Sequence, residues 1–290
     1  MNMKNLIKET EVRSIITKSK LPASDYCINP YIGCLHACKY CYASFMKRFT
    51  VHDENWGDFV DVKVWKEIKN IDQYAGKSIF LSSVTDPYQP LEEKYERTKA
   101  FLEEIKNIDI ELVISTKSDL ILRDLPLLKM FRNVKVAWSI NTLDENFKND
   151  MDRAVSIERR IEAMKKFHEQ GICTVCFISP IFPKITDVVS IIERCKDYCD
   201  FVWLENLNLR GDYKFRILNY IKKKFPQIYE AYDKIYCQKN MSYWENLDSE
   251  ICEYCKKNNF SYLKNHSSSK SHNGSPVVIN YFYHEEIRKK

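Results

Sequence analysis

Residues 110–140 read IELVISTKSDLILRDLPLLKMFRNVKVAWSI. Two β-branched and aliphatic runs, 110–115 and 134–140, flank a stretch with apolar residues at helical spacing, 120–131. Runs of that kind form strands, and strand, helix and strand in succession make a parallel unit with its helix outside. Pro126 suits a first helical turn, because it lacks an N–H and its ring blocks the turn before it.

The same alternation extends in both directions. Strands are expected over residues 25–28, 78–82, 173–179 and 201–204, and helices over 91–106, 156–170 and 186–198. In SIERRIEAMKKFHEQ, residues 156–170, Ser156 stands at the capping position with Glu158 close by, and Gly171 follows as a stop. Six strand–helix units over residues 20–212 predict an α/β fold, a parallel sheet with helices outside that right-handed crossovers curl into an open or closed barrel. From residue 214 the chain reads as helices, then a polar loop HSSSKSHNGS at 266–275, then a strand-like run at 276–283. The expected division is a barrel with an N-terminal lead-in over 1–212 and a mainly helical extension packed on it over 213–290.

Hydrophobic residues at 44% and aromatic residues at 13% exclude a disordered chain. No apolar run approaches the roughly 20 residues of a membrane helix. The first 20 residues are polar and mixed in charge, unlike a secretory signal, so the expectation is cytoplasmic, with no membrane partner. The net charge of 45 − 40 = +5 permits an anionic partner but falls short of a dedicated nucleic-acid binder. With 11 cysteines and no such signal, metal ligands or core thiols are expected before disulfides.

The cysteines cluster in NPYIGCLHACKYCYASFMKRF, residues 29–49. Cys34, Cys38 and Cys41 follow a C-x3-C-x2-C pattern within eight residues. Three thiolates on so short a loop can wrap one iron–sulfur cube and leave one iron without a protein ligand. The loop follows the first expected strand, so it sits at the C-terminal mouth of the sheet, where α/β folds place their chemistry. The alternative is a structural zinc site with His36, Cys27 or His52 as fourth ligand, in a non-catalytic, zinc-stabilised nucleic-acid-binding protein. Cys237, Cys252 and Cys255, with His266 or His272, could hold a second centre; a buried helical thiol is the simpler reading. Cys173, Cys176, Cys195 and Cys199 read as core thiols.

The cysteine loop resembles that of the radical S-adenosylmethionine superfamily. NPYIGCLHACKYCYA, SVTDPYQPLEEKYERT, STKSDLILRD, WSINT, FISPIFPKITD and WLENLNLR, in this order over about residues 12–212, resemble its spore-photoproduct-lyase-like group. Within that group the resemblance is strongest to the radical SAM mobile pair B proteins. It implies a partial, TIM-like (β/α)6 barrel, a 4Fe–4S cluster, and reductive cleavage of S-adenosylmethionine to a 5′-deoxyadenosyl radical that abstracts hydrogen from an unknown substrate. It implies a flavodoxin- or ferredoxin-like reductant and a partner radical SAM protein, and leaves nucleic-acid modification or repair as a second function. Thr85 and Lys117 match the group's cofactor contacts, with an ordinary solvated lysine as the alternative for Lys117. Asp86 is a turn or cap residue, or a direct contact.

Strand alternation puts Ser139 and Asn141 on one face, facing the cofactor or holding core hydrogen bonds. Tyr40 lies along the adenine or packs the loop. Glu205 or Asn206, with Asn208, faces the substrate. Arg153, Arg159 and Arg160 read as surface or ion-pair residues. The runs 222–224 and 288–290 read as solvated charge, the first with a secondary reading as a phosphate-backbone contact. The lyase itself carries a hydrogen-donating Cys just before the strand-two Ser/Thr-Asp pair. This chain has Ser82-Ser83-Val84-Thr85-Asp86 there, so thymine-dimer repair by that route is not expected.

Overall fold

Two short strands open the chain in the computed structural model, Ile7–Glu11 (β1) and Ile16–Lys18 (β2). Tyr26–Ile28 (β3) and Tyr31–Ile32 (β4) lead into the cysteine loop, and a 3-10 helix, Tyr42–Phe49, and Val60–Val64 (β5) follow it. The repeating part comprises Ser78–Leu81 (β6), Glu92–Tyr95 (α1), Arg97–Ile105 (α2), Glu111–Thr116 (β7), Leu125–Leu128 (α3), Asn133–Ser139 (β8), Glu145–Met151 (α4), Ile157–Glu169 (α5), Cys173–Ile181 (β9), Val188–Cys195 (α6) and Phe201–Asn206 (β10). Gly211–Lys224 (α7), Tyr229–Tyr236 (α8), Ser242–Lys257 (α9), Tyr262–Lys264 (β11) and Val277–Asn280 (β12) complete the chain. The structure describes residues 6–21, 24–264 and 275–282. His266, His272, His284 and the run 288–290 lie outside them.

Among the described residues nine strands form one sheet in the order β11-β12-β10-β9-β8-β7-β6-β3-β2, in which β2 alone runs antiparallel to its neighbour. Among the described residues the two edges do not pair, so the barrel is open, as the (β/α)6 expectation requires. A second sheet, β1-β5-β4, carries the approach to the cysteine loop. The expected extension does more than pack on the barrel. β12 pairs with β10, and β11 with β12, so residues beyond 212 lengthen the sheet itself.

The pleat divides each strand between two environments. Leu81, Ile114, Val136, Trp138, Cys176, Ile178, Val202, Leu204 and Val278 are buried in the main core, where Phe101, Ile161, Met164, Phe167 and Ile192 of the helices meet them. The alternate positions, Phe80, Val113, Ser115, Lys135, Ser139, Phe177, Trp203 and Ile279, line an interior cavity. β6 to β10 and β12 thereby supply both core and site. No helix among the described residues is long and apolar enough to cross a membrane.

Two helices differ from expectation. The stretch 91–106 is split at Glu96, whose φ is 47°. The fully buried Glu92 carboxylate accepts the Thr98 and Lys99 amides at 2.9 and 3.2 Å, capping α2 from the preceding turn. Residues 120–124 form a 3-10 helix, and α3 begins only at Leu125 with Pro126 in its first turn. Helix α5 matches the reading: the Ser156 hydroxyl accepts the Arg159 amide at 3.3 Å, and Gly171 follows with φ +74°.

Candidate active site

The cysteine loop has little secondary structure, so side chains from the strand ends hold it. Gly33 turns the chain into it with φ +93°, and a Cβ there would meet the Phe59 carbonyl oxygen at 2.3 Å. The Gly33 carbonyl accepts the Thr85 hydroxyl at 2.7 Å, and Gln89, fully buried, accepts the Leu35 amide at 2.9 Å. On the far side the segment after α4 backs the loop. Lys39 N–H donates to the Met151 carbonyl at 2.9 Å, the Tyr40 hydroxyl to Asp152 at 3.2 Å, and Arg153 N–H to the His36 carbonyl at 2.7 Å.

Asp152 is anchored in turn by Arg160, and both are fully buried. The Arg160 guanidinium reaches Asp152 Oδ1, the Ser139 carbonyl and the Val155 carbonyl, each at 3.0 Å. Arg153 and Arg159 are surface residues paired with Asp58 and Asp119, as expected. Arg160 is an ion-pair residue too, as expected, but a fully buried one: it hangs the cysteine loop on the end of β8. The sequence held the signal, because position 160 shares the apolar helical stripe of Ile157, Ile161, Met164 and Phe167.

Asp86 works from the other side. Its carboxylate accepts the Tyr88 amide at 2.9 Å, the Thr116 hydroxyl at 2.8 Å and the Lys117 amide at 2.7 Å. His36 Nε2 stands 3.2 Å away, and its Nδ1 is buried with no partner among the described residues. Burial pushes the Asp86 carboxyl up, but His36 and the two amides outweigh it and hold the group below the usual carboxylate range. Asp86 is a turn residue and a tie between strands.

Cys34, Cys38 and Cys41 are free thiols bordering one cavity of about 2510 Å³. Burial pushes the Cys34 thiol well up and Cys38 up to about 12, the latter against the pull of Lys117. Such thiols surrender their protons to a metal rather than to water. Three free thiols on one loop are the donor set of an iron–sulfur cluster, whose thiolates sit on different irons. A single ion needs its ligands to converge, and among the described residues no three His, Cys, Asp or Glu groups do so. Of the proposed fourth zinc ligands, His52 is engaged with Glu54 and Asp61 and Cys27 with Thr17, while His36 turns Nε2 to Asp86. Cys255 is buried and Cys237 exposed, as for independent thiols.

Tyr40, Thr85, Lys117 and Ser139 border the same cavity as the three cysteines. The Lys117 ammonium lies 5.8 Å from the centre of the Tyr40 ring. Tyr40 is buried edge-on to Phe182, with ring centres 5.4 Å apart. Asn141 is buried outside the lining; its carbonyl accepts the Thr186 hydroxyl at 2.7 Å, and its Nδ2 has no partner among the described residues. Glu205, Asn206 and Asn208 all border the cavity, and Glu205 accepts the Ser179 hydroxyl at 2.5 Å.

Comparison with known proteins agrees with this geometry. The family model described as the Radical SAM superfamily matches residues 28–195, more than half of the chain. An uncharacterized protein of Methanocaldococcus jannaschii is 40% identical over 235 residues, 79% of this chain and 88% of its own length. A spore photoproduct lyase variant solved with bound AdoMet and dinucleoside spore photoproduct superposes with a TM-score of 0.56 at 17% identity, over 78% of this chain and 68% of that one. Streptococcus suis SuiB bound to S-adenosylmethionine gives a TM-score of 0.50 at 13% identity, over 88% of this chain and 46% of that one.

The chain belongs to the radical SAM superfamily and is a radical SAM enzyme. The cofactors of that superfamily are a 4Fe–4S cluster and S-adenosylmethionine, and its enzymes require a reductant.

Two substitutions test the support of the loop. Gly33→Ala is expected to lose most of its iron and sulfide after anaerobic reconstitution while keeping native circular dichroism; full loading would show that the loop tolerates the displacement. Arg160→Met leaves Asp152 with Lys148, 3.7 Å away, as its one cationic partner among the described residues, and is expected to cost about 3–5 kcal/mol in urea unfolding. A cost under about 1 kcal/mol would be that of an ordinary surface pair.

Proposed function

We propose that Cys34, Cys38 and Cys41 hold the cluster and that the chain cleaves S-adenosylmethionine reductively, directing the product radical at a substrate in the barrel cavity. The observation that carries this reading is the loop itself: three free thiols, pinned from both sides, facing one cavity at the C-terminal ends of the strands. Bound there, the cluster supplies the electron that breaks a carbon–sulfur bond of the cofactor to leave methionine and a 5′-deoxyadenosyl radical. A flavodoxin- or ferredoxin-like protein is the proposed source of that electron.

The chain's residues bind, orient and shield. Lys117, half-buried at the end of β7, offers a cation to the cofactor carboxylate. Thr85 has committed its proton to Gly33, so its oxygen is left to accept, as a cofactor ammonium requires. Ser139 offers a small polar group at the mouth. Level with it stand Phe177 and Trp203, and Phe80 lies lower; together they line the cavity with apolar surface, and excluding water strengthens the charge contacts to the cofactor.

A second reading, that the substrate is a nucleic acid, is favoured by the rim. Phe45 and Phe49 are exposed on the 3-10 helix after Cys41, with the Arg48 guanidinium 5.4 and 4.7 Å from their ring centres. Phe215 is exposed on α7 beside Arg216, which borders the cavity with Arg210. None of these three arginines has a carboxylate partner among the described residues. Exposed rings interleaved with arginines free of carboxylates, one of them bonded to Asn208, suit bases and phosphates. The lyase among the structural neighbours was solved with a dinucleoside.

Anaerobic protein supplied with dithionite and S-adenosylmethionine is expected to form 5′-deoxyadenosine, and Cys38→Ala to form none and to lose its iron. Turnover by that variant would refute the assignment. Binding to single-stranded DNA is expected to weaken with salt, with a log–log slope near −0.7 per phosphate contacted. A flat response would remove the nucleic-acid reading and leave the radical chemistry standing.

A further inference from the structure

The lower half of the cavity differs chemically from its mouth. The inward positions of β8 are Lys135, Ala137 and Ser139, so Lys135 stands about 13 Å below the mouth at roughly 3.3 Å per residue. Its row across the sheet is Phe80, Val113 and Cys173, and all four border the cavity. On the neighbouring strands Phe177 pairs with Trp203 in the row of Ser139. The Lys135 ammonium lies 4.8 Å from the centre of the Phe201 ring and 5.8 Å from that of Trp203.

Those ring faces are its contacts: among the described residues Lys135 has neither an ion-pair partner nor a hydrogen-bond acceptor. The acidic groups bordering the lower cavity are placed otherwise. Asp200 accepts the Thr174 amide at 2.7 Å, Glu111 at the start of β7 and Asp197 ahead of β10 are exposed, and Glu205 holds Ser179 at the mouth. A compact, strongly hydrated ammonium is costly to keep half-buried among aromatic walls. Ring faces compensate part of that cost but occupy none of its three donors in a hydrogen bond. The site therefore offers charge and donors to something that brings acceptors.

The geometry points to a binding subsite in the barrel interior for a ligand with a flat apolar body and an anionic group, a carboxylate or a phosphate. The body lies against Phe80, Phe177 and Trp203, and the anion meets Lys135. That the ligand is the substrate rests on the function proposed above. A substrate gripped there carries its charge far from the carbon that reacts, and the grip orients it rather than taking part in the chemistry.

Calorimetry on the anaerobic, reconstituted protein with S-adenosylmethionine present tests this without turnover. The probes are 2-naphthoate, 2-naphthyl phosphate and the neutral 2-naphthamide. At least one anion is expected to bind roughly ten-fold more tightly than the amide, and the tighter of the two identifies the anionic group. Lys135→Met should erase the preference and Lys135→Arg keep it. Lys129→Met, which removes an exposed cation at the lower rim, should leave it unchanged. No binding, equal binding of anion and amide, or a preference that survives Lys135→Met overturns the subsite. If Lys135→Met fails to fold by circular dichroism, loss of the preference in Lys135→Arg at native fold would also overturn it, since both side chains carry the charge. Because no radical is generated, this result is separate from that of the 5′-deoxyadenosine assay.

Discussion

One buried carboxylate ties together the parts of the site that the sequence keeps furthest apart. Asp86 follows β6, accepts from the backbone and side chain at the end of β7, and faces His36 in the middle of the cysteine loop. Hydrophobic packing can set the distance between a loop and a sheet, but it is not directional. A carboxylate that accepts from three fixed donors is directional, and burial makes any misplacement costly. Asp86 remains ionised because His36 and the amides more than offset the desolvation, so the tie keeps its charge where the apolar surroundings would otherwise neutralise it.

The second anchor follows the same logic with opposite polarity. Arg160 is a fully buried cation whose three nitrogens each donate, to Asp152 and to two carbonyls. Such pairs add little net stability against an apolar replacement, since desolvation offsets most of the attraction. What they add is register. Asp152 meets Tyr40 and its neighbours meet Lys39 and His36, so a loop with few contacts of its own inherits the position of β8. The three thiols proposed as cluster ligands would need placing within a fraction of an ångström, and two buried charges on opposite sides supply such a constraint.

The strands were legible because they alternate between a helix-covered face and a cavity. The run 134–140 reads as β-branched on one parity and mixed on the other, and it appears as Asn133–Ser139. The cysteine loop was legible from spacing alone. Less was visible where long-range contacts override local preference. The split at Glu96 depends on a carboxylate held by Tyr31 and Arg123, each far off in sequence. β1, IKETE, has too little apolar content to announce a strand and forms one only beside β5. The strand-like run after residue 275 was readable, but not its place next to β10, because parallel pairing leaves no mark on either partner. Arg160 looked like its two neighbours, and only its helical phase told them apart.

The pleat also explains how one barrel accommodates two kinds of ligand. Moving along a strand by two residues keeps the same face and lifts the side chain by about 7 Å. On β8 that step leads from Lys135 through Ala137 to Ser139, and on β9 from Cys173 through Val175 and Phe177 to Ser179. The polar ends gather at the cysteine loop, where a charged cofactor must be held, and the aromatic positions lie beneath them. The division follows from where the strands stop. Backbone groups at the C-terminal ends turn toward loops and accept polar company, while those farther down are closed by the ladder and leave only side chains to face the cavity. A strongly polar interior below the mouth would admit water to the reaction. A wholly apolar one would give a charged substrate no fixed orientation. An aromatic wall with Lys135 set into it satisfies both demands, and it arises from placing a charged residue at an inward position of β8.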